Sequence, residues 1–179
     1  MNHFLRWLHL LALASWLGGS VFFSFFTALP IIRHMETLAQ APDNWPGFST
    51  KKEGTRIAGE ALSAVFAWYF PYQTVCGVIA LTTAAAWLKR PGFQSRLRVI
   101  VLAVALLLVL VNLVYLSPWV HELRQQRYAS DTALAELAEK TFGELHQLSL
   151  LTDLATLVLV LIAFTMSAVE DRTDPAKPS

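Results

Sequence analysis

Charge is what this chain has least of. Lysine, arginine, aspartate and glutamate make up 15% of its 179 residues, against about 25% in a soluble globular domain. The signs nearly cancel, 14 basic against 13 acidic, for a formal net charge of +1. That balance gives no basic footprint for a nucleic-acid partner. Cysteine is scarcer still: Cys76 stands alone. No disulfide can form within the chain, so cysteine usage does not report a redox compartment. The sequence also has no Walker loop, nucleophile elbow, HExxH zinc motif or dinucleotide glycine pattern. No enzymatic activity is expected. The ten-residue alternation of a membrane β-barrel is missing as well.

In place of charge there is hydrocarbon. Hydrophobic residues are 55% of the chain and the mean hydropathy is +0.46. Four apolar runs stand out, at about 4–32, 57–88, 97–117 and 145–169. Each meets or approaches the ~20 helical residues that ~30 Å of hydrocarbon requires. The expected fold is all-α, a four-helix transmembrane bundle whose first partner is the lipid bilayer. Residues 1–169 form one membrane domain, and 170–179, "EDRTDPAKPS", form a disordered polar tail.

The first run carries Arg6 and an Ala12-x-Ala14 site. It continues well past the length of a cleavable signal sequence, so it is expected to stay. Pro71 predicts a kink in the second run, which is long enough to tilt or to begin in the interface. The third run is expected to end at Ser117-Pro118. Residues 34–56 read as irregular, being rich in Pro, Gly, Asn and Asp. Before the last span, "SDTALAELAEKTFGELH" predicts a short amphipathic helix capped by Ser130 or Asp131 and running on into the span.

Orientation follows from basic residues beside the spans. Lys89, Arg90, Arg96 and Arg98 crowd the short connection between the second and third runs, with no acid among them. That connection is placed in the cytoplasm of a bacterial inner membrane, and both termini with it. Raw counts on the two sides are equal, so the density of the short loop decides.

Polar residues fall into seams. His146, Ser149, Asp153 and Thr156 follow i, i+3, i+7, i+10, which makes one stripe along a helix. Asn112, Tyr115, Trp119 and Glu122 make another around the end of the third run. Gly59, Ser63, Gln73 and Gly77 share a face of the second with Phe66 and Phe70. Asp153 falls about 12 Å below the outer start of the last span. These depths predict a polar pocket in the outer half of the bundle, drawn from Asp153, His146, Ser149, Asn112, Tyr115 and Glu60, with a drier inner half. Asp153 is the informative member. A carboxylate in hydrocarbon costs roughly 2.5–3.5 kcal/mol, and a neutral side chain would join helices more cheaply.

The first run, "RWLHLLALASWLGGSVFFSFF", pairs Ala14 with Gly18 and Ser15 with Gly19. Such small-xxx-small spacing favours close helix approach. Gly18, Gly19, Gly59 and Trp16 are therefore expected to serve packing. His9, seven residues before Trp16, reads as a hydrogen-bonded packing histidine near the inner face. Haem is disfavoured by depth, because His9 and the outer His121 and His146 cannot share one iron. His34, His121 and His146, with Met35, Glu36 and Glu122, are side chains that could hold copper or zinc, but they lack a compact ligand signature. No cofactor is predicted.

Several stretches together resemble the transmembrane protein 205-like family, which includes a bacterial domain of unknown function. They are "LHLLALASWLGGSVFFSFFTALPII", "GTRIAGEALSAVFAWYF", "SPWVHELR" and "FGELHQLSLLTDL". Trp16, Gly18, Gly19, Gly59, Phe66, Phe142, His146 and Ser149 match that family's pattern, while the position of Asp153 often holds Asn in it. The resemblance implies a four-helix integral membrane protein and no reaction. The first helix, with His9, Trp16 and Gly18, also resembles a short stretch of copper-resistance membrane proteins.

Three functions remain open on the sequence. The first is a protein that binds or passes a small solute or ion through the polar pocket. The second is a noncatalytic scaffold or accessory subunit. The third is a metal- or haem-binding protein. Four helices leave little room for a path in one copy, so the first reading implies a homo-oligomer.

Overall fold

The computed structural model describes residues 3–40, 50–86 and 93–170, and they are all-α. The helices are α1 (His3–Val21), α2 (Leu29–Ala39), α3 (Lys51–Ala85), α4 (Phe93–Val111), α5 (Ser117–Gln126) and α6 (Thr132–Glu170). A π-helical turn, Phe22–Ala28, carries α1 into α2, and a second, Asn112–Leu116, carries α4 into α5. Four continuous helices result: His3–Ala39, Lys51–Ala85, Phe93–Gln126 and Thr132–Val169. Each is long and apolar enough to cross a membrane. The protein is a multi-pass membrane protein by length and composition of its helices.

Both π turns stand directly before a proline. Pro30 and Pro118 occupy the first turns of α2 and α5. A proline has no N–H to give the carbonyl four residues back, and its ring crowds that carbonyl. At the second turn the Ser117 N–H reaches back five residues to the Asn112 carbonyl. The wider turn makes room for the ring and lets the helix continue. The helix that carries the third apolar run therefore continues past Ser117-Pro118 to Gln126, and it starts at Phe93.

Other ends follow local chemistry. Asp131 caps α6, its Oδ1 accepting from the Ala133 and Leu134 N–H groups at 2.9 and 3.4 Å. The amphipathic segment and the last span form one helix of 39 residues. Thr50 and Glu53 make a reciprocal capping box at the start of α3. Helix also occupies residues 34–39 and Lys51 onward, parts of the stretch expected to be irregular. The expected tail at 171–179 lies outside the described residues.

The chain divides into two compact units. Gly18–Tyr69 holds the end of α1, the first π turn, α2 and the first half of α3. Within it Glu36 pairs with Lys51 at 3.2 Å and accepts from Thr55 at 3.1 Å. Phe23 stacks on Tyr69 and meets Phe66 edge-on. Gly54 is the close-approach glycine here: a Cβ on it would stand 2.5 Å from the Met35 carbonyl oxygen.

The other unit, Met1–Leu17 with Phe70–Ser179, carries the main core. Ala12, Leu13, Trp16, Cys76, Ala80, Ala84, Leu102, Ala105, Val109, Val160 and Ala163 pack together, from α1, α3, α4 and α6. Alanines at these crossings let the helices come close. Gly77 goes further: a Cβ there would stand 2.8 Å from Cη2 of the Trp16 indole.

Candidate functional site

The buried polar side chains of the core unit form two levels, one beside the middle of α6 and one near its end. The first level is built on the second π turn. Asn112 opens that turn and is 1% exposed. Its Nδ2 donates to Thr152 Oγ1 at 2.8 Å, and its Oδ1 accepts from Ser149 Oγ at 2.8 Å. Thr156 adds a bond to the Thr152 carbonyl at 2.8 Å. One residue on from Thr152, half-buried Asp153 accepts a long bond of 3.5 Å from Gln73 Nε2 on α3. Gln73 is itself 1% exposed. The level therefore joins α3, the second π turn and α6 and presents hydroxyl, amide and carboxylate oxygens. Such hard donors suit a proton or a hard cation better than a soft metal.

The wide turn decides which side chains enter this level. Leu116, four residues after Asn112, is buried at 2% exposure, whereas Tyr115, three residues after it, is 60% exposed and lies against Trp119. Tyr115 thus leaves the group the sequence put it in, because the π turn displaces the three-residue spacing that the seam assumed. Glu60 is exposed on α3 in the other unit. His146 is half-buried and stacked on Phe142 at 5.3 Å. The Arg127 guanidinium covers that ring at 4.3 Å and is itself held by Glu139 at 2.6 and 2.8 Å. This cation–aromatic–imidazole stack ties α5 to α6. Of the predicted members in this unit, Asn112 and Ser149 are in direct contact, Asp153 stands beside their partner Thr152, Tyr115 is exposed and His146 is stacked on Phe142.

The second level lies in the half expected to be drier and is built on His9, the histidine read as a hydrogen-bonded packing residue. His9 is fully buried. Its Nδ1 faces the Ala80 carbonyl at 3.1 Å and Thr83 Oγ1 at 2.8 Å, and its Nε2 faces Ser167 Oγ at 3.1 Å. A carbonyl can only accept, so Nδ1 carries a hydrogen. Ser167 also lies 2.8 Å from the Ala163 carbonyl, so its single hydrogen is shared between two acceptors when the ring is neutral. The guanidinium of Arg98, 1% exposed, acts electrostatically on the ring, and Ser95 is buried one turn earlier on α4. Matched depth was the available signal. His9 and Arg98 lie near helix starts, and Thr83 and Ser167 near helix ends, which antiparallel spans bring to one level.

The packing residues divide differently from expectation. Trp16 is 0% exposed and belongs to the core. Gly18 has nothing within 4 Å of where its Cβ would be, so close packing does not explain it. Gly19 and Gly59 are half-buried, and Gly59 lends its carbonyl to Ser63 at 3.0 Å. His34 and His121 are exposed, on α2 and α5. Among the described residues no three His, Cys, Asp or Glu side chains converge as a metal group would need.

Comparison with known proteins adds one finding. A family model described as "Domain of unknown function (DUF4149)" matches residues 11–129. No curated protein matches the chain, and no solved structure does. The matched stretch holds Trp16, Gln73 and Asn112 and stops before α6 with Ser149, Thr152 and Asp153.

Proposed function

The chain belongs to the family described as Domain of unknown function (DUF4149), and we propose that it binds a small cation, the proton included, within the membrane and passes it on. Asp153 is the acceptor. Gln73 orients its carboxylate, and Asn112 with Ser149 and Thr152 fixes the face of α6 that carries it. One observation carries the reading: a carboxylate is kept midway along a membrane helix where Asn could hold the same Gln73 contact without roughly 2.5–3.5 kcal/mol of insertion cost. The path is completed in a homo-oligomer in the lipid bilayer. The protein sits in a bacterial inner membrane with both termini in the cytoplasm, is a transmembrane protein 205-like relative, and catalyses no reaction.

Asp153→Asn in proteoliposomes is the test. Uptake of sodium, potassium and protons is followed separately by ion-sensitive dyes. The expected result is a drop of at least tenfold in the flux of one of them, with an unchanged melting temperature. The scaffold reading gains if the variant transports as the parent does, or if the parent moves none of the three ions.

A further inference from the structure

The two polar levels are separated by about two helical turns of apolar core. Along α3, Gln73, Gly77, Ala80 and Thr83 follow i, i+4, i+7, i+10 and share a face. Gln73 meets Asp153, and Ala80 with Thr83 meets His9. Gly77 lies between them, and the Trp16 indole rests on it. From Gln73 to Ala80 the rise is about 10 Å, and the ring occupies the middle of that interval. Leu106 flanks Gly77 from α4, and Cys76 packs in the same cluster.

Trp16 is also poorly satisfied as a polar side chain. It is 0% exposed, and its Nε1–H has no hydrogen-bond partner among the described residues. A buried donor left without an acceptor destabilises the position that holds it. A movement of the ring that finds an acceptor, such as the water shell of an ion, relieves this. The side chain that blocks the interval is thus held in place by shape and not by a polar bond.

We propose that the Trp16 indole, seated on Gly77, is the barrier between the two levels. The Asp153 level is closed towards His9 while the ring is in place and opens to it when the ring moves. This rests on the reading of Asp153 as the cation acceptor. It assigns Trp16 a part in selective passage that the packing of a scaffold would not need.

Cys76 gives a native reporter, because it is the only cysteine in the chain and lies beside Gly77, buried in the Trp16 cluster. Its reaction is timed in proteoliposomes with a methanethiosulfonate bearing trimethylammonium and with one bearing sulfonate. In the parent both reactions are slow. Trp16→Ala removes the ring and Gly77→Ala displaces it, and each raises the trimethylammonium rate at least tenfold. Trp16→Phe keeps a ring and keeps the rate low. Using two opening variants, each checked by its melting curve, guards against a misfolded one. Fast labelling of the parent, or slow labelling of both folded opening variants, overturns the barrier. Asp153→Asn in the Trp16→Ala background separates the two ideas. Loss of the preference for the cationic reagent supports both. If the opened variants instead react equally with both reagents, the barrier stands and the Asp153 reading fails.

Discussion

At the scale of single residues, the two polar levels differ in how much they hold the helices together. His9 bonds to α3 through Ala80 and Thr83 and to α6 through Ser167, so one ring ties three helices. His9→Ala removes all of these contacts and leaves a cavity. A loss of about 2 kcal/mol is expected, read as a fall of about 4–8 °C in a detergent melting curve. Asn112→Ala should cost less, about 1 kcal/mol, since polar contacts between membrane helices average ~0.6 kcal/mol. Thr152 keeps its own-helix carbonyls at Leu148 and Ser149 when Asn112 is gone. Equal losses for the two variants in the same assay would contradict this ranking. The sequence made Asn112, Ser149 and Asp153 legible through helical spacing and the cost of an acid in hydrocarbon. Thr152 and Ser167 were hidden because threonine and serine in a membrane helix can be satisfied by their own backbone, so composition gives no sign that a partner helix is near. Thr152 does both at once, bonding to its own helix and to Asn112.

At the scale of elements, the prolines explain why the helices run beyond the apolar segments. The four spans were legible because length and hydropathy alone specify them. The helix ends were not, because a π turn lets a helix run on past a proline. Pro30 and Pro118 each follow a π turn, and the helix goes on. Pro71 sits inside α3 without one. The second π turn also chooses the inward face, turning Asn112 in and Tyr115 out, and π turns are often found at functional sites for this reason. Pro118→Ala restores the missing N–H and lets the turn close into an α-helix. The variant should melt higher, by about 2–4 °C for each kcal/mol of strain released, yet transport at least several-fold more slowly because Asn112 no longer meets Ser149 and Thr152 squarely. Stability and flux falling together would instead mark Pro118 as an ordinary structural residue. The same logic places the α6 start on Asp131, where the sequence offered two caps and the carboxylate reaches two N–H groups.

At the scale of the whole molecule, burial changes the charge argument for orientation. Arg98 had been counted with Lys89, Arg90 and Arg96 as a loop cation beside the second and third spans. It is instead 1% exposed within α4, and Arg124 near the other end of the same long helix is likewise buried at 8%. A side chain committed to the core contributes to packing and to the field around His9, and the orientation rule concerns charges retained in loops. Removing one buried arginine from each side leaves the totals as balanced as before, so the short connection still decides, now on Lys89, Arg90 and Arg96. The expected arrangement keeps that connection and both termini in the cytoplasm, and it puts the Asp153 level nearer the outer face and the His9 level nearer the inner one. Alkaline phosphatase fused after Ser179 should then be inactive and a green fluorescent protein in the same place bright, with the pattern reversed for insertions before Lys51. Replacing Lys89, Arg90 and Arg96 together by Gln should weaken the preference and give a mixed population, while Arg98→Gln should leave orientation intact and lower the melting temperature. An active phosphatase after Ser179 in the parent would invert the direction of passage but leave the order of Asp153, Trp16 and His9 along the path unchanged, because that order is set by α3 and not by the membrane.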